Sequence, residues 1–138
     1  MKKLIVYAST TGNTEAMAKA VAQGAEENGD EVFLVTADSA NAKEVLSCDV
    51  IYLGSPAMGD EVLEDSMEDF YTDIEASLNG KKVGLFGSYD WGDGQWMRDW
   101  ASRLSDSGAV LLGGEGLIAN LSPDEEALEK CRALGKLS

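Results

Sequence analysis

The stretch Tyr7 to Glu15, YASTTGNTE, sets the hydroxyls of Ser9, Thr10, Thr11 and Thr14 and the glycine Gly12 between an apolar run and a helical pattern. The first N–H groups of a helix lack intrahelical partners and sit at the positive end of its dipole, so a loop delivered onto that end is an anion cradle. Ser9, Thr11 and Thr14 add hydroxyl donors, and Gly12 lets the backbone come close to a phosphate. A single Thr or Asn here would do no more than cap the helix; a run of them can line a site. Neither GxGxxG nor GxxxxGK[ST] occurs, so dinucleotide and metal-bound triphosphate are not the ligands expected. One terminal phosphate is, held without a metal and without Lys, Arg or His. Omitting the cation keeps the bound site negative, which disfavours further negative charge on a ligand that takes up electrons.

Two more loops carry residues of the same interest. In SPAMGDEVLEDSMEDF (55–70), Met58 stands in a loop and precedes Gly59, whose missing Cβ opens conformations closed to other residues. Asp60, Glu61, Glu64, Asp65, Glu68 and Asp69 follow with no base among them, a run that also serves as a solvated helix face. In GSYDWGDGQW (87–96), Tyr89 and Trp91 stand among glycines, where a flat ligand stacked on one of them is favoured over burial. Trp96 and Trp100 have helical spacing and read as packing residues.

The elements that must position these loops alternate regularly. Apolar runs at 2–9, 31–37, 49–55, 81–88 and 109–119 suit strands covered on both faces. Helical spacing occupies 13–28, 62–78, 94–107 and 123–136. Asn28-Gly29 and Asn79-Gly80 read as helix stops, and Ser122-Pro123-Asp124 as a capped start. Five strands alternating with helices predict an α/β fold, a doubly wound five-stranded parallel sheet with helices on both faces. Ligands bind such sheets beyond the carboxyl ends of the strands, which selects 9–14, 55–62 and 88–95.

The 138 residues fit one domain, 1–138. Against 25 Asp and Glu stand 11 Lys and Arg, a formal charge of −14, so nucleic acid and anionic membrane are disfavoured and a partner with a basic face is favoured. No apolar run approaches the ~20 residues of a membrane span, and the start lacks a cleavage-like site, so the expected location is the cytoplasm. With no His, zinc sites and His-dependent triads are not expected. Cys48 and Cys131 have no metal-ligand spacing and read as packing residues.

These residues resemble a family, the flavodoxins of the short-chain group. The resemblance lies in Ile5-Val6-Tyr7, Ser9, Gly12, Thr14, Ala18 and Val21, in AMGDE (57–61), and in the glycine and aromatic pattern of 87–97. It covers nearly the whole chain and implies sheet order 2-1-3-4-5. It also implies noncovalent flavin mononucleotide (FMN), with the phosphate on Ser9, Thr10, Thr11, Gly12, Asn13 and Thr14. Pro56, Ala57, Met58, Gly59, Asp60 and Glu61 would line one side of the ring and its N5 edge. Ser88, Tyr89, Asp90, Trp91 and Gly92 would line the other, with Trp91 outermost, and Asn120 would touch the ribityl chain. The stretch 109–119 has no room for the insertion that splits the last strand of long-chain members.

The function so implied is low-potential, one-electron transfer between redox proteins by a monomeric carrier that is not itself an enzyme. The Gly59 carbonyl would turn to accept from N5–H of the half-reduced ring, and the acids of 60–69 would oppose a second negative charge. This chain reads Ala8-Ser9-Thr10-Thr11 where close relatives have Trp-Ser-Gly-Thr, and carries Asp90 where they have Gly. A receiver-like domain of the same sheet order needs acids and a lysine at places that here read Ala8-Ser9, Gly54-Ser55 and Ala119-Asn120. A small flavin or quinone reductase is the alternative in the enzyme class, but the chain leaves little over for a second pocket.

Overall fold

The computed structural model describes residues 1–138. Five strands, β1 (Lys2–Tyr7), β2 (Glu31–Thr36), β3 (Val50–Gly54), β4 (Lys82–Tyr89) and β5 (Val110–Asn120), form one parallel sheet in the order β2-β1-β3-β4-β5. The helices are α1 (Asn13–Glu27), α2 (Ala42–Leu46), α3 (Asp65–Glu75), α4 (Gln95–Asp106) and α5 (Glu125–Gly135). The expected alternation and sheet order are both present.

Strand periodicity divides the core in two. Leu4, Val6, Ile51, Leu53, Val83 and Leu85 face α3 and α4 in one apolar cluster, while Ile5, Tyr7, Val50, Tyr52 and Phe86 face α1 and α5 in the other. Trp96 and Trp100 lie buried in the first, as their helical spacing predicts. Cys48 and Cys131 are buried and unbonded to each other, and burial raises both thiols, Cys131 to about 12. Helices α1 and α5 approach so closely that a Cβ on Gly24 would collide with the Arg132 carbonyl oxygen.

Burial on both faces holds for β1, β3 and β4 but not for the edges. Phe33 and Leu34 of β2 and Val110 and Ile118 of β5 are exposed, because an edge strand has one neighbour and incomplete helix cover. The register between β4 and β5 shifts between Gly84 and Phe86, and opposite it Gly113, Gly114 and Gly116 take positive φ. That bulge twists an otherwise open edge.

Several boundaries differ from the sequence reading. Helix α3 begins at Asp65, three residues later than expected, because Ala57 bridges to Leu63 and holds 57–63 as a turn. It ends at Glu75; Asn79-Gly80 belongs to the turn into β4, where the Gly80 N–H donates to the Gly108 carbonyl. The cap of α5 is Asp124, whose carboxylate accepts from the Ala127 N–H at 2.8 Å, and Pro123 precedes the helix. Helix α2, capped by Asn41, has no counterpart in the sequence reading, since five residues are too few for a period.

The amino end of the sheet, opposite the loops of interest, is pinned by Lys3. Its fully buried ammonium pairs with Asp30 at 2.8 Å and donates to the carbonyls of Gly135 and Leu137, also at 2.8 Å. The Tyr52 hydroxyl points into the same two carbonyls and that of Leu134. The C-terminal end of α5 is thereby capped by a cation, where its dipole is negative.

Candidate functional site

The cradle at 9–14 forms because β1 ends at Tyr7 and α1 begins at Asn13. Gly12 occupies the cap position with φ 92°, in the left-handed region, where a Cβ would meet nothing but would strain the backbone. No Thr or Asn side chain caps α1. Ser9 Oγ instead accepts from the N–H groups of Gly12 at 3.1 Å and Glu15 at 3.3 Å, which leaves its own O–H to donate outward. The N–H groups of Thr10, Thr11, Asn13 and Thr14 meet no acceptor within the protein.

Ser9, Thr10 and Gly12 of this loop border a cavity of about 520 Å³ whose wall is completed by Tyr7, Ala8, Glu15, Thr36, Ala37, Asp38, Glu64 and Ser66. Its wall carries three carboxylates and no base. Thr36 to Asp38, at the carboxyl end of β2, were not selected from sequence; their place on the sheet was the available sign. Tyr7 donates to Glu15 at 3.0 Å, and its own burial, with that carboxylate, pushes the phenol up.

Thr14 differs from its loop neighbours. It is buried, and its hydroxyl meets that of Ser88 at 2.8 Å, so the first and third loops are joined beneath the surface. The second and third are joined too, by the Ala57 N–H on the Ser88 carbonyl at 2.9 Å and by Trp96 Nε1 on the Ser55 carbonyl at 3.2 Å. Pro56 is buried behind them.

A smaller cavity of about 210 Å³ lies between Thr10, Ala57, Met58, Gly59, Asp90 and Trp91. Trp91 is 61% exposed and Met58 36%, whereas Tyr89 leans on Trp96 with ring centroids 5.6 Å apart. Of the two aromatic residues proposed for stacking, Trp91 is the one left open.

Residues 58–61 form a tight turn. Glu61 N–H donates to the Met58 carbonyl at 2.7 Å, and Gly59 and Asp60 both keep negative φ, which makes a type I turn. The residue in the left-handed region is Glu61, φ 52°. A type I turn followed by a left-handed residue closes a three-residue hairpin loop, where Gly is usual. Here the Glu61 carboxylate is retained by the start of α4, accepting from the Gln95 N–H at 3.1 Å, beside Gly92. Asp90, likewise, lies outside the left-handed region.

Among the acids of 60–69, Glu68 is bound bidentately by Arg103 at 2.8 and 3.0 Å, and that bonding holds its carboxyl below the usual range. Glu64 caps α3 through the Ser66 N–H. Asp60, Asp65 and Asp69 remain exposed. Asn120, expected at the ribityl chain, donates its side-chain amide to the carbonyls of Tyr89 at 3.1 Å and Asp90 at 3.3 Å.

The arrangement fits a flat, phosphorylated ligand: unpaired amides at a helix start, and beside them a cleft with an exposed indole. No group of three or more Cys, Asp or Glu is placed to hold a metal, and no helix is long and apolar enough to cross a membrane. The flavodoxin family model matches residues 5–135. The flavodoxin of Megasphaera elsdenii is 49% identical over 96% of this chain and 94% of its own length. That of Clostridium beijerinckii is 47% identical over 96% and 95%. The solution structure of two-electron reduced Megasphaera elsdenii flavodoxin superposes with a TM-score of 0.85 at 46% identity, over 99% of this chain and 96% of that one.

Proposed function

The chain belongs to the flavodoxin family, and we propose that its three carboxyl-end loops hold FMN, the phosphate on Ser9 to Thr14 and the ring between 56–61 and 88–92. As a flavodoxin it is an FMN-binding electron-transfer protein that works with redox partner proteins, not a stand-alone catalyst. The reductase alternative is not favoured. The observation that carries the placement is the set of unpaired N–H groups around Gly12, above a cavity without a cation.

Bound FMN supplies the redox chemistry, accepting and releasing electrons one at a time. The chain supplies binding and potential. Amides and hydroxyls satisfy the phosphate oxygens, and the helix dipole favours its charge. Glu15, Asp38, Glu64 and Asp90 leave the surroundings negative, so electron uptake that adds net charge is opposed. Trp91 covers the open face of the ring, and the buried Thr14–Ser88 pair fixes the distance between phosphate loop and ring loop.

The chain acts as one domain over 1–138, monomeric and cytoplasmic, and belongs to the short-chain group. Partners dock on the exposed face of 58–65 and 88–95 with basic patches of their own, in small, transient contacts whose charges mainly raise the encounter rate. The deciding experiment is flavin content: protein purified, or reconstituted with FMN, should bind one FMN per chain and flavin adenine dinucleotide much more weakly. Preference for the dinucleotide, or no binding, would remove the placement.

A further inference from the structure

The chain's last site loop is bonded to the loop that follows β4. Asn120 Nδ2 donates to two successive carbonyls, those of Tyr89 and Asp90, and the Leu121 N–H adds a third bond, 2.8 Å to the Tyr89 carbonyl. To place that N–H, Leu121 takes φ 58° while its side chain stays 53% exposed. A leucine in the left-handed region is costly, and no burial of the side chain compensates for it. Such strain persists only where surrounding bonds over-determine the backbone.

Planar trans peptides point each carbonyl opposite to the N–H that follows it. Turning the Tyr89 and Asp90 carbonyls toward Asn120 therefore turns the N–H groups of Asp90 and Trp91 away from β5. Neither N–H finds an acceptor in the protein. Asp90 and Trp91 also line the 210 Å³ cleft with Met58 and Gly59. Two adjacent donors at a ligand cleft call for an acceptor, and only the pyrimidine half of a flavin ring offers them; its dimethylbenzene half has no polar atom.

We propose that Asn120, with the Leu121 N–H, is a positioning residue that clamps the Tyr89–Asp90 backbone so that the Asp90 and Trp91 N–H groups are preset as donors to the pyrimidine half of bound FMN. The inference rests on the FMN reading above. Preset donors cost nothing to reorient when charge grows on the ring, so they favour electron uptake; released, the loop must first be ordered. Asn120 is exposed and belongs to neither core, so its replacement leaves the fold intact.

The test compares wild type, Asn120→Ala and Asn120→Asp, the last keeping the shape while replacing a donor by an acceptor. Three quantities are read: dissociation constants for FMN and riboflavin, the second one-electron potential, and the thermal midpoint of the flavin-free protein. The clamp predicts that both variants bind FMN and riboflavin about tenfold more weakly, by the same factor for each, since the ring loop and not the phosphate is affected. It also predicts a more negative second potential and a thermal midpoint lowered by no more than roughly 5 °C, since only two exposed bonds outside the cores are lost. Unchanged potential and affinity in both variants, or loss confined to the phosphorylated ligand, would overturn it. Failure of the wild-type protein to bind either flavin would instead overturn the FMN reading on which the clamp depends.

Discussion

The hydroxyls of Thr14 and Ser88 meet at 2.8 Å with both residues buried, which joins the start of α1 to the end of β4 across 74 positions of sequence. One hydroxyl donates and the other accepts. Removing one leaves a buried polar group without a partner, at a cost of about 1 to 3 kcal/mol. Ser88→Ala should therefore lower the stability of the flavin-free protein and weaken FMN binding together, because the spacing of phosphate and ring loops is lost. Thr14→Ser, which keeps the hydroxyl, should spare both. Chemical denaturation and flavin titration of the two variants check it; equal effects would mean the hydroxyl pair is incidental.

The Lys3–Asp30 pair makes a prediction at the far end of the molecule. Asp30→Asn leaves a wholly buried ammonium facing only carbonyls and should cost about 3 kcal/mol or more, whereas Lys3→Met leaves the Asp30 carboxylate still paired with the chain's amino terminus and the Asn28 amide, and should cost less. The bonds from Lys3 and then Asn28 lower the Asp30 carboxyl from 3.8 to about 2. A depressed carboxyl contributes stability that is full above its unfolded value and is lost as pH falls through the folded one. The advantage of wild type over Lys3→Met should thus shrink between about pH 4 and pH 2. Urea midpoints measured across that range decide it.

How legible these features were depends on their range along the chain. Parallel strands buried on both faces write themselves as apolar runs, so β1, β3 and β4 stood out and the loops at their carboxyl ends followed. Val62 and Leu63 carry helical spacing with Phe70, yet lie in a turn, because the Ala57–Leu63 bridge outweighs propensity there. The left-handed residues Glu61 and Leu121 carry no local mark, since Gly is the usual sign of that conformation. The partners of Asn120 and Thr14 lie 30 and 74 residues away, beyond any local pattern. The resemblance named them as site residues; only the fold shows what holds them.

The turn at 58–61 alters what Gly59 is expected to do. A flip of the Gly59–Asp60 peptide converts type I to type II, which keeps φ negative at Gly59 and requires positive φ at Asp60. A Cβ on Gly59 meets nothing within 4 Å. Gly59→Ala should therefore change flavin-free stability by less than about 0.5 kcal/mol. Asp60→Gly should favour the flipped turn by roughly 1 kcal/mol and raise the first one-electron potential. Spectroelectrochemistry tests this: a larger shift in Gly59→Ala than in Asp60→Gly would place the hinge back at the glycine.

Docking should depend on those acids that the fold leaves unspent. Glu64 caps α3 and Glu68 is engaged by Arg103, so the charges available to a partner near the start of this helix are Asp65 and Asp69, with Asp60 in the turn before it. Electron transfer to a basic haem protein should slow as salt rises. In the double variant Asp60→Asn, Asp65→Asn it should be slower at low salt and less salt-dependent. Stopped-flow rates at several ionic strengths measure both; identical salt slopes would assign the acidity to solubility.

Asp90 separates charge from backbone. It lines the ring cleft beside Trp91 and keeps φ outside the left-handed region, so a glycine there relieves no strain. What distinguishes it is its carboxylate. A charge at the cleft edge opposes the electron that makes the ring anionic, by about 1 kcal/mol once solvent screening is allowed for, or on the order of tens of millivolts. Asp90→Asn, which keeps shape and the N–H clamped by Asn120, should raise the second potential by most of that amount. Asp90→Gly should raise it by a similar amount but weaken flavin binding further, because a glycine at the clamp is freer to leave it. Potentiometric titration of both variants at low and high salt provides the check, since the asparagine shift should diminish as salt rises. A shift seen only in Asp90→Gly, or one indifferent to salt, would assign the effect to backbone freedom and dismiss the carboxylate.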